Sequence, residues 1–487
     1  MTTSKVKPQS KFAEANGLRL HYNEWSTQGT PLVFLHGITG SSHSWDAIAP
    51  SFVDDYRVMA FDLRGHGQSG KPDSGYSWET DYARDISTFI TELPQSQELR
   101  QKIWPEDAST NFQHRFRRRE QRRVLKVISS TGAAGFADFP DIDYAPALGG
   151  VAKNHLIGAN PYAVEAIWSK MRQAGVLCSH RTAVDYALWD LLGRETGKPV
   201  YELLGGPVRD RIRIYYYGKP KKGQQASEDA WRALGRDLAK QPGAAAKTDP
   251  FAVFERLGGR KAWEDTVYEA GGKMPTEENM AFNENVFRWL REGAGDKLDL
   301  IHGGHGQCCA EGAIATCKRL EQFDMFWMEE PVPPTSSMDE MAKVAAATTV
   351  PVATGENLQG LEDFTRLIDK RAASILNLPP PNVGGLTEAR KIATLAEMRG
   401  MQIAPHFFSY GPLTWVAMAN LCMATPNVLI LEANSLREST SGPRRLNENL
   451  FFKEPIKIDG YYFVPSGKPG LGYEYDEKFV VSRKRLA

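Results

Sequence analysis

The sequence predicts an α/β chain organised around a parallel, eight-fold β/α barrel, and three observations carry that prediction. Between Phe326 and Glu432 short apolar runs recur about every 25 residues, a fixed period that marks repeated strand-plus-helix units. Each run hands over to a polar or reactive residue: MFWM to Glu329, PVAT to Gly355-Glu356, ASILNL to Pro379, QIAP to His406 and VLIL to Glu432. Counted from His305, these landmarks at 329, 356, 379, 406 and 432 lie 24, 27, 23, 27 and 26 residues apart. Helical stretches such as SSMDEMAKVAAATT and LTEARKIATLAEMRG separate them. Parallel strands need such crossovers, and chemistry at every strand's C-terminal end places an active site on that face of a closed barrel.

The chain around this array is long enough for two or three domains, at 487 residues. Hydrophobic residues make up 41% and charged residues 24%, which fits a soluble globular enzyme rather than a disordered or fibrous chain. Lys+Arg and Asp+Glu are both 59, so no global charge argues for nucleic acid or a membrane surface as partner. The one basic run, His114 to Arg119 with Arg122 and Arg123, leads into VLKVISS and reads as a solvated entry to a strand. Cys178, Cys308, Cys309, Cys317 and Cys422 match neither a disulfide framework nor zinc spacing, so reduced thiols and a cytoplasmic location are expected. MTTSKVKPQS lacks the apolar centre of a signal peptide, and no run reaches 18 apolar residues.

Residues 1–100 read as a separate segment. LRLHYNEW follows an Asn16-Gly17 turn; PLVFLHG and YRVMAFDLRGHG are strands running into glycine-rich loops; ETDYARDISTFITEL is helical. This resembles the N-terminal part of an α/β-hydrolase. His36-Gly37 would stand at the family's oxyanion loop, and Asp62 to Ser69 would be the loop after its fourth strand. No G-x-S-x-G occurs in the chain, so the nucleophile elbow is missing and Ser69 and His66 are expected to be loop residues rather than triad members. A sheet cut off here would also leave a raw strand edge.

Residues 101–210 read as α+β: RRVLKVISS as a strand, then NPYAVEAIWSKM and HRTAVDYALWDLLGRETG as helices. The second helix groups Ala183, Ala187, Leu188, Leu191 and Leu192 on one face, and Gly197 supplies its stop. Residues 211–450 would form the barrel, opening with RIRIYYYG, GAAAKTDPF and KLDLIHGGHGQ as the first three strands. After the barrel closes, KIDGYYFVPSGKPGLGYEYD reads as a turn-rich strand pair, and residues 451–487 are expected to complete the 101–210 domain.

At the site, Glu329 and Glu356 end successive buried strands and can converge on one point. Two carboxylates in a cleft repel unless a cation or proton intervenes, and a hard divalent ion such as Mg²⁺ is the economical answer.

The motifs WDLLGRETGKPVYELLGG, FWMEEPVPP, PVATGEN, VGGLTEARKIATLAEMRGMQIAPH and PGLGYEYDEKF, in this order, resemble the enolase superfamily in its mandelate racemase and muconate-lactonizing branch over residues ~105–487. The resemblance implies a modified TIM barrel with an α+β capping domain, and abstraction of a proton α to a carboxylate with Mg²⁺ assistance. A base acting beside a metal is a general trait of such sites. It implies Glu329 and Glu356 as metal ligands. The family's third ligand would fall at position 303, which is Gly here, while the second lysine of its K-x-K motif is Asp249. Three readings follow: Asp249 restores the carboxylate triad and keeps Mg²⁺; His305 coordinates and favours Mn²⁺ or Zn²⁺; or metal binding is weak.

His305 and His406 are the candidate proton carriers. The family's sixth-strand Asp, which would support His406, is replaced by Pro379. Lys247 would neutralise the substrate carboxylate, and Glu432 and Asn357 would contact substrate. These assignments imply a dehydratase of an acid sugar (an aldonate or aldarate), Mg²⁺-dependent with Mn²⁺ as substitute, and oligomeric as relatives commonly are. A racemase, epimerase or cycloisomerase and an inactive descendant are the alternatives.

Overall fold

The computed structural model describes residues 7–36, 41–46, 48–72, 81–92, 123–139, 149–221, 223–257, 274–333, 338–407, 410–434, 451–476 and 478. The chain separates into two compact units, Met1–Arg119 and Glu120–Ala487. The expected junction near residue 100 and the basic run at 114–122 lie outside the described residues.

In the first unit, β1 (Gln9–Ala15), β2 (Leu18–Glu24), β3 (Thr30–Phe34) and β4 (Tyr56–Phe61) form a sheet of order β1-β2-β4-β3. Asn16 and Gly17 both take positive φ, 51° and 74°, as a tight two-residue hairpin requires. Helix α1 (Ala83–Glu92) seats Phe89 against Tyr22 and Phe61, whose ring centroids lie 5.0 and 4.2 Å away. The loop after β4 is built around the buried Asp62 carboxylate. It accepts from Ser42 N at 2.6 Å, Gln68 N at 2.8 Å and His21 Nδ1 at 2.7 Å. Ser69 Oγ donates to the Asp62 carbonyl and accepts from His21 N, and His36 Nε2 accepts from Leu63 N, so all three side chains stabilise backbone.

The second unit opens with the hairpin β5 (Arg123–Ile128) and β6 (Ala134–Phe139), followed by α2 (Val164–Gln173), α3 (Cys178–Thr196) and α4 (Val200–Leu203). Gly197, at φ 71°, terminates α3 as expected. The single apolar face expected for α3 is a correction: Tyr186 and Ala187 join the main core, while Ala183, Val184, Leu188, Leu191 and Leu192 join a second one. A helix buried on several sides carries no strong amphipathic signal. On one side β6 lies against it so closely that a Cβ at Gly135 would sit 2.0 Å from the Ala187 carbonyl oxygen.

Eight strands alternate with helices thereafter: β7 (Ile212–Tyr217), α5 (Glu228–Leu238), β8 (Ala245–Thr248), α6 (Pro250–Arg256), α7 (Glu277–Ala294), β9 (Asp299–Gly303), α8 (Ala310–Leu320), β10 (Met325–Glu329), α9 (Met338–Ala347), β11 (Val352–Thr354), α10 (Gly360–Asp369), β12 (Ile375–Leu376), α11 (Leu386–Glu397), β13 (Gln402–Ile403), α12 (Pro412–Ala424) and β14 (Leu431–Glu432). Consecutive strands from β7 to β13 pair in parallel, Ile403 bridges Val428 just before β14, and β14 pairs in parallel with β7. The antiparallel pair β15 (Ile458–Asp459) and β16 (Tyr462–Phe463) adds to β7. This is a TIM-barrel-type fold with an N-terminal cap.

Buried acids tie cap to barrel. Asp185 of α3 accepts from Leu386 N at 2.6 Å, and Asp138 of β6 accepts from Thr414 N at 3.0 Å, each in the first turn of a barrel helix where unpaired N–H groups favour a carboxylate. The C-terminal segment joins the cap through Leu471 N to Asp190 at 2.8 Å and a bridge between Pro199 and Gly470.

Candidate active site

Alternation along the strands determines what reaches the site. Tyr215, Ala245, Ile301, Trp327, Ala353, Ile375, Ala404 and Ile430 pack as one buried cluster, with one residue from each strand or its immediate extension. Because side chains repeat every second residue on a strand face, the residues two further on share the inward direction toward the C-terminal end. They include Lys247, Gly303, Glu329, His406 and Glu432. Two positions further again, Asp249 and His305 lie beyond the ends of β8 and β9.

The inner charges form one chain. Lys247 Nζ is 2.6 Å from Glu329 Oε1 and 3.1 Å from Glu432 Oε1. His406 Nε2 is 3.0 Å from Glu356 Oε2 and 3.6 Å from Glu432 Oε2. Trp327 Nε1 donates to Glu329 Oε2 at 3.2 Å. Glu432 also accepts from Phe407 N at 2.8 Å and Asn434 Nδ2 at 2.6 Å. Above this layer His305 Nδ1 donates to Asp249 Oδ2 at 2.9 Å, while Asp249 Oδ1 accepts from Ala252 N at 2.9 Å. The His305 side chain keeps 43% of its surface exposed whereas that of Asp249 keeps 5%, so the imidazole is the member open to a ligand. His305 and Glu330 adopt positive φ, 49° and 41°, uncommon backbone for residues with a Cβ and frequent at functional sites.

Burial and neighbouring charge set the ionisation states. Burial lowers the affinity of Lys247 for its proton, but Glu329 and Glu432 reverse this and hold it well above the usual lysine range. Burial raises Glu329, and Glu356 and Glu432 add to the rise against the pull of Lys247. Burial likewise pushes Glu330 far up, with Glu356 and Glu329 reinforcing it. Glu356 goes the other way, because the imidazole of His406 outweighs its burial penalty. His406 is raised in turn: burial disfavours its cation, and Glu356 and Glu432 more than offset that. His305 is raised by its bond to Asp249 despite burial, and Asp249 is lowered by the same bond despite its own.

The residues fit a divalent cation. Glu329, Glu356 and His406 each offer a ligand atom, all within 4.8 Å of one another. Glu356 Oε2, aimed at His406, makes no hydrogen bond of acceptable geometry, and Glu330 Oε1 has no partner either. Three acidic groups (Glu329, Glu356 and Glu432) face two cationic side chains in this chain of contacts, a negative surplus that a metal ion relieves.

The structure brings the sequence-predicted residues together with different partners. The carboxylate triad of Asp249, Glu329 and Glu356 is not the group that forms. Asp249 stands outside it, held by His305, and His406 takes the third place. The short Asp249 side chain extends from the loop after β8, whose neighbour is β9, while the longer Lys247 reaches inward to Glu329 on β10. Nor is His305 in the metal group. Asn357 donates its amide to Glu330 at 2.8 Å, and Glu432 is saturated by Lys247, Asn434 and backbone, so neither expected substrate contact stands idle. Two participants were missed. Glu330 follows Glu329 in WMEEP, and only its burial distinguishes it from a surface acid. Asn434 follows Glu432 by one strand repeat, which was the available signal.

A capped parallel barrel that gathers carboxylates at successive strand tips is the design of a metal-assisted barrel enzyme. Comparison with known proteins agrees. The mandelate racemase / muconate lactonizing enzyme N-terminal domain matches residues 120–205, the enolase C-terminal domain-like family matches 260–479, and the alpha/beta hydrolase fold matches 30–97. A solved mandelate racemase/muconate lactonizing enzyme from Labrenzia alexandrii is 32% identical with a TM-score of 0.64, covering 74% of this chain and 90% of that one. Another from Burkholderia is 33% identical at TM-score 0.64, covering 73% and 87%. A D-galactonate dehydratase of Cronobacter sakazakii is 28% identical over 379 residues, 74% of this chain and 90% of that protein. A D-galactonate dehydratase family member of Streptomyces bingchenggensis is 28% identical over 368 residues, 73% and 87%. The chain belongs to the enolase superfamily, in its mandelate racemase and muconate-lactonizing branch. Members of that superfamily are metal-dependent. Among the described residues no helix is long and apolar enough to cross a membrane.

Proposed function

We propose that the protein is a hydro-lyase that dehydrates an acid sugar, an aldonate or aldarate, to a 2-keto-3-deoxy acid. The observation that carries this reading is the His305–Asp249 pair, open to a ligand and set above a buried carboxylate–imidazole cluster. Relatives named as D-galactonate dehydratases support the substrate class.

The carbon α to a carboxylate is a very weak acid, because its deprotonation adds negative charge to a group already charged. Glu329 and Glu356 would hold a divalent cation, which would supply positive charge to stabilise the enolate. Lys247 is a fixed cation in the same layer and adds to that field. His305 takes the α-proton at Nε2, since Nδ1 is committed to Asp249, which orients the ring and stabilises its cation. The bond to the β-hydroxyl then breaks. The leaving oxygen takes a proton from the imidazolium and departs as water, and the resulting enol tautomerises to the keto acid.

Within this reading, 101–210 with 451–487 is the cap and 211–450 the barrel, in a cytoplasmic enzyme. The N-terminal unit is an incomplete α/β-hydrolase segment without hydrolytic chemistry; its His66 and Ser69 serve loop backbone.

The test is a panel of aldonates and aldarates incubated with divalent cations in D₂O and followed by NMR. The expected result is a 2-keto-3-deoxy product. Deuterium at the α-carbon with every hydroxyl retained would replace this reading with epimerisation, and no exchange with any acid sugar would leave a non-catalytic descendant.

A further inference from the structure

Resting on that reading of the site, we propose that His406 is a metal ligand rather than a proton carrier, and that the site selects a first-row transition ion over Mg²⁺. Three observations lead there.

First, neither expected position supplies a third carboxylate. Gly303 is registered directly opposite Glu329 and carries no side chain, and Asp249 is engaged by His305 and by Ala252 N. Among the described residues, the one group able to surround an ion is Glu329, Glu356 and His406.

Second, the ligand atoms can be released to a metal. His406 Nε2 faces Glu356 Oε2 at 3.0 Å, and the contact lacks hydrogen-bond geometry, so a cation would replace an ion pair rather than break a well-formed bond. Lys247 is bonded to Glu329 but also lies 3.1 Å from Glu432, which keeps a partner for the ammonium once Glu329 turns to the metal. Glu432 is itself fixed by Phe407 N and Asn434 Nδ2, so it stays with the lysine.

Third, two carboxylates and an imidazole are a different donor set from three carboxylates. Mg²⁺ prefers oxygen ligands and holds its water tightly, whereas an imidazole nitrogen favours transition ions, with Co²⁺ and Zn²⁺ bound more tightly than Mn²⁺. With His406 committed to the ion, proton transfer falls to His305 alone, oriented by Asp249.

The test is calorimetric titration of the substrate-free full chain with Mn²⁺, Co²⁺, Zn²⁺ and Mg²⁺, with Co²⁺ binding also followed by its visible spectrum. The wild type is expected to bind all three transition ions at least about 100-fold more tightly than Mg²⁺, with affinity rising from Mn²⁺ to Zn²⁺. H406A is expected to lose about 100-fold in Zn²⁺ affinity and to alter the Co²⁺ spectrum, while H305A changes neither. Circular dichroism of each variant controls for folding, and H406N, close in size, guards against a cavity effect. Mg²⁺ binding as tight as Zn²⁺, an unchanged Co²⁺ spectrum in folded H406A and H406N, or a loss of affinity in H305A would overturn the assignment. None of these readouts needs substrate, so failure to dehydrate acid sugars tests the proposed function separately.

Discussion

Asp249 Oδ2 accepts from His305 Nδ1 at 2.9 Å, joining the loops that follow β8 and β9 in a carboxylate–histidine pair. The buried carboxylate supports the more exposed imidazole and favours its protonated form.

D249N tests that support. The amide can still hold the ring but no longer stabilises its cation, so the turnover that depends on α-proton transfer is expected to fall by about 100-fold. His305 must be neutral to act as a base, and its raised pKa places the acidic limb of the rate profile above the ordinary 6.5. Removing the negative charge lowers that pKa, so the limb moves toward lower pH. A pH profile of kcat/KM in wild type and variant shows the shift. An unmoved limb would detach Asp249 from the chemistry.

G303D examines the missing ligand. A Cβ built at Gly303 meets nothing nearer than 3.5 Å (Cε1 of His305), and position 303 faces Glu329 in the strand register, so a carboxylate fits there. Mg²⁺ affinity is expected to rise by about 10- to 100-fold, measured by titration. No gain in affinity would mean that position 303 does not face the ion.

K247A probes the internal cation. Removing Lys247 leaves Glu329 and Glu432 buried without their shared partner, and loss of one member of a buried pair costs about 3 kcal/mol or more. Denaturant unfolding of the metal-free variant near neutral pH should show this loss, and a saturating divalent cation should restore part of it.

D185N isolates a carboxylate outside the site. Burial pushes Asp185 up to about 7, and its Oδ2 has no hydrogen-bond partner. The folded chain therefore binds a proton between the ordinary 3.8 and about 7 that the unfolded chain has released. Wild-type stability is expected to fall as pH rises through that window, by at most about 1.4 kcal/mol per pH unit from this group. The asparagine variant retains an acceptor for Leu386 N and should lose that slope. Unfolding at pH 5 and pH 7.5 makes the comparison.

Much of the architecture was written in local patterns. The recurring apolar runs ended on the residues that now close β10 and β14 or follow β11 and β13, because a buried parallel strand needs an apolar stretch and its C-terminal end is where the chain meets solvent and ligand. Gly197 stops α3 for a purely local reason, its freedom to adopt φ 71°. The faces of α3 were not legible: a helix enclosed between the cap's own core and the barrel is apolar on several sides, and no period survives.

The sequence alone determined which residues stand at the strand tips, since strand period and chain order fix that much. The tertiary structure decided their partners. Asp249 and His305 stand four residues beyond the inward Ala245 and Ile301 on adjacent strands, so they meet each other, while Lys247, two residues beyond Ala245, reaches across to Glu329 and Glu432. Which acid pairs with which base depends on height along the barrel and on side-chain length, to within a few ångströms, and Coulomb energies at low dielectric turn such differences into different ionisation states. A one-dimensional spacing does not contain those heights until the strands are tilted and closed against one another.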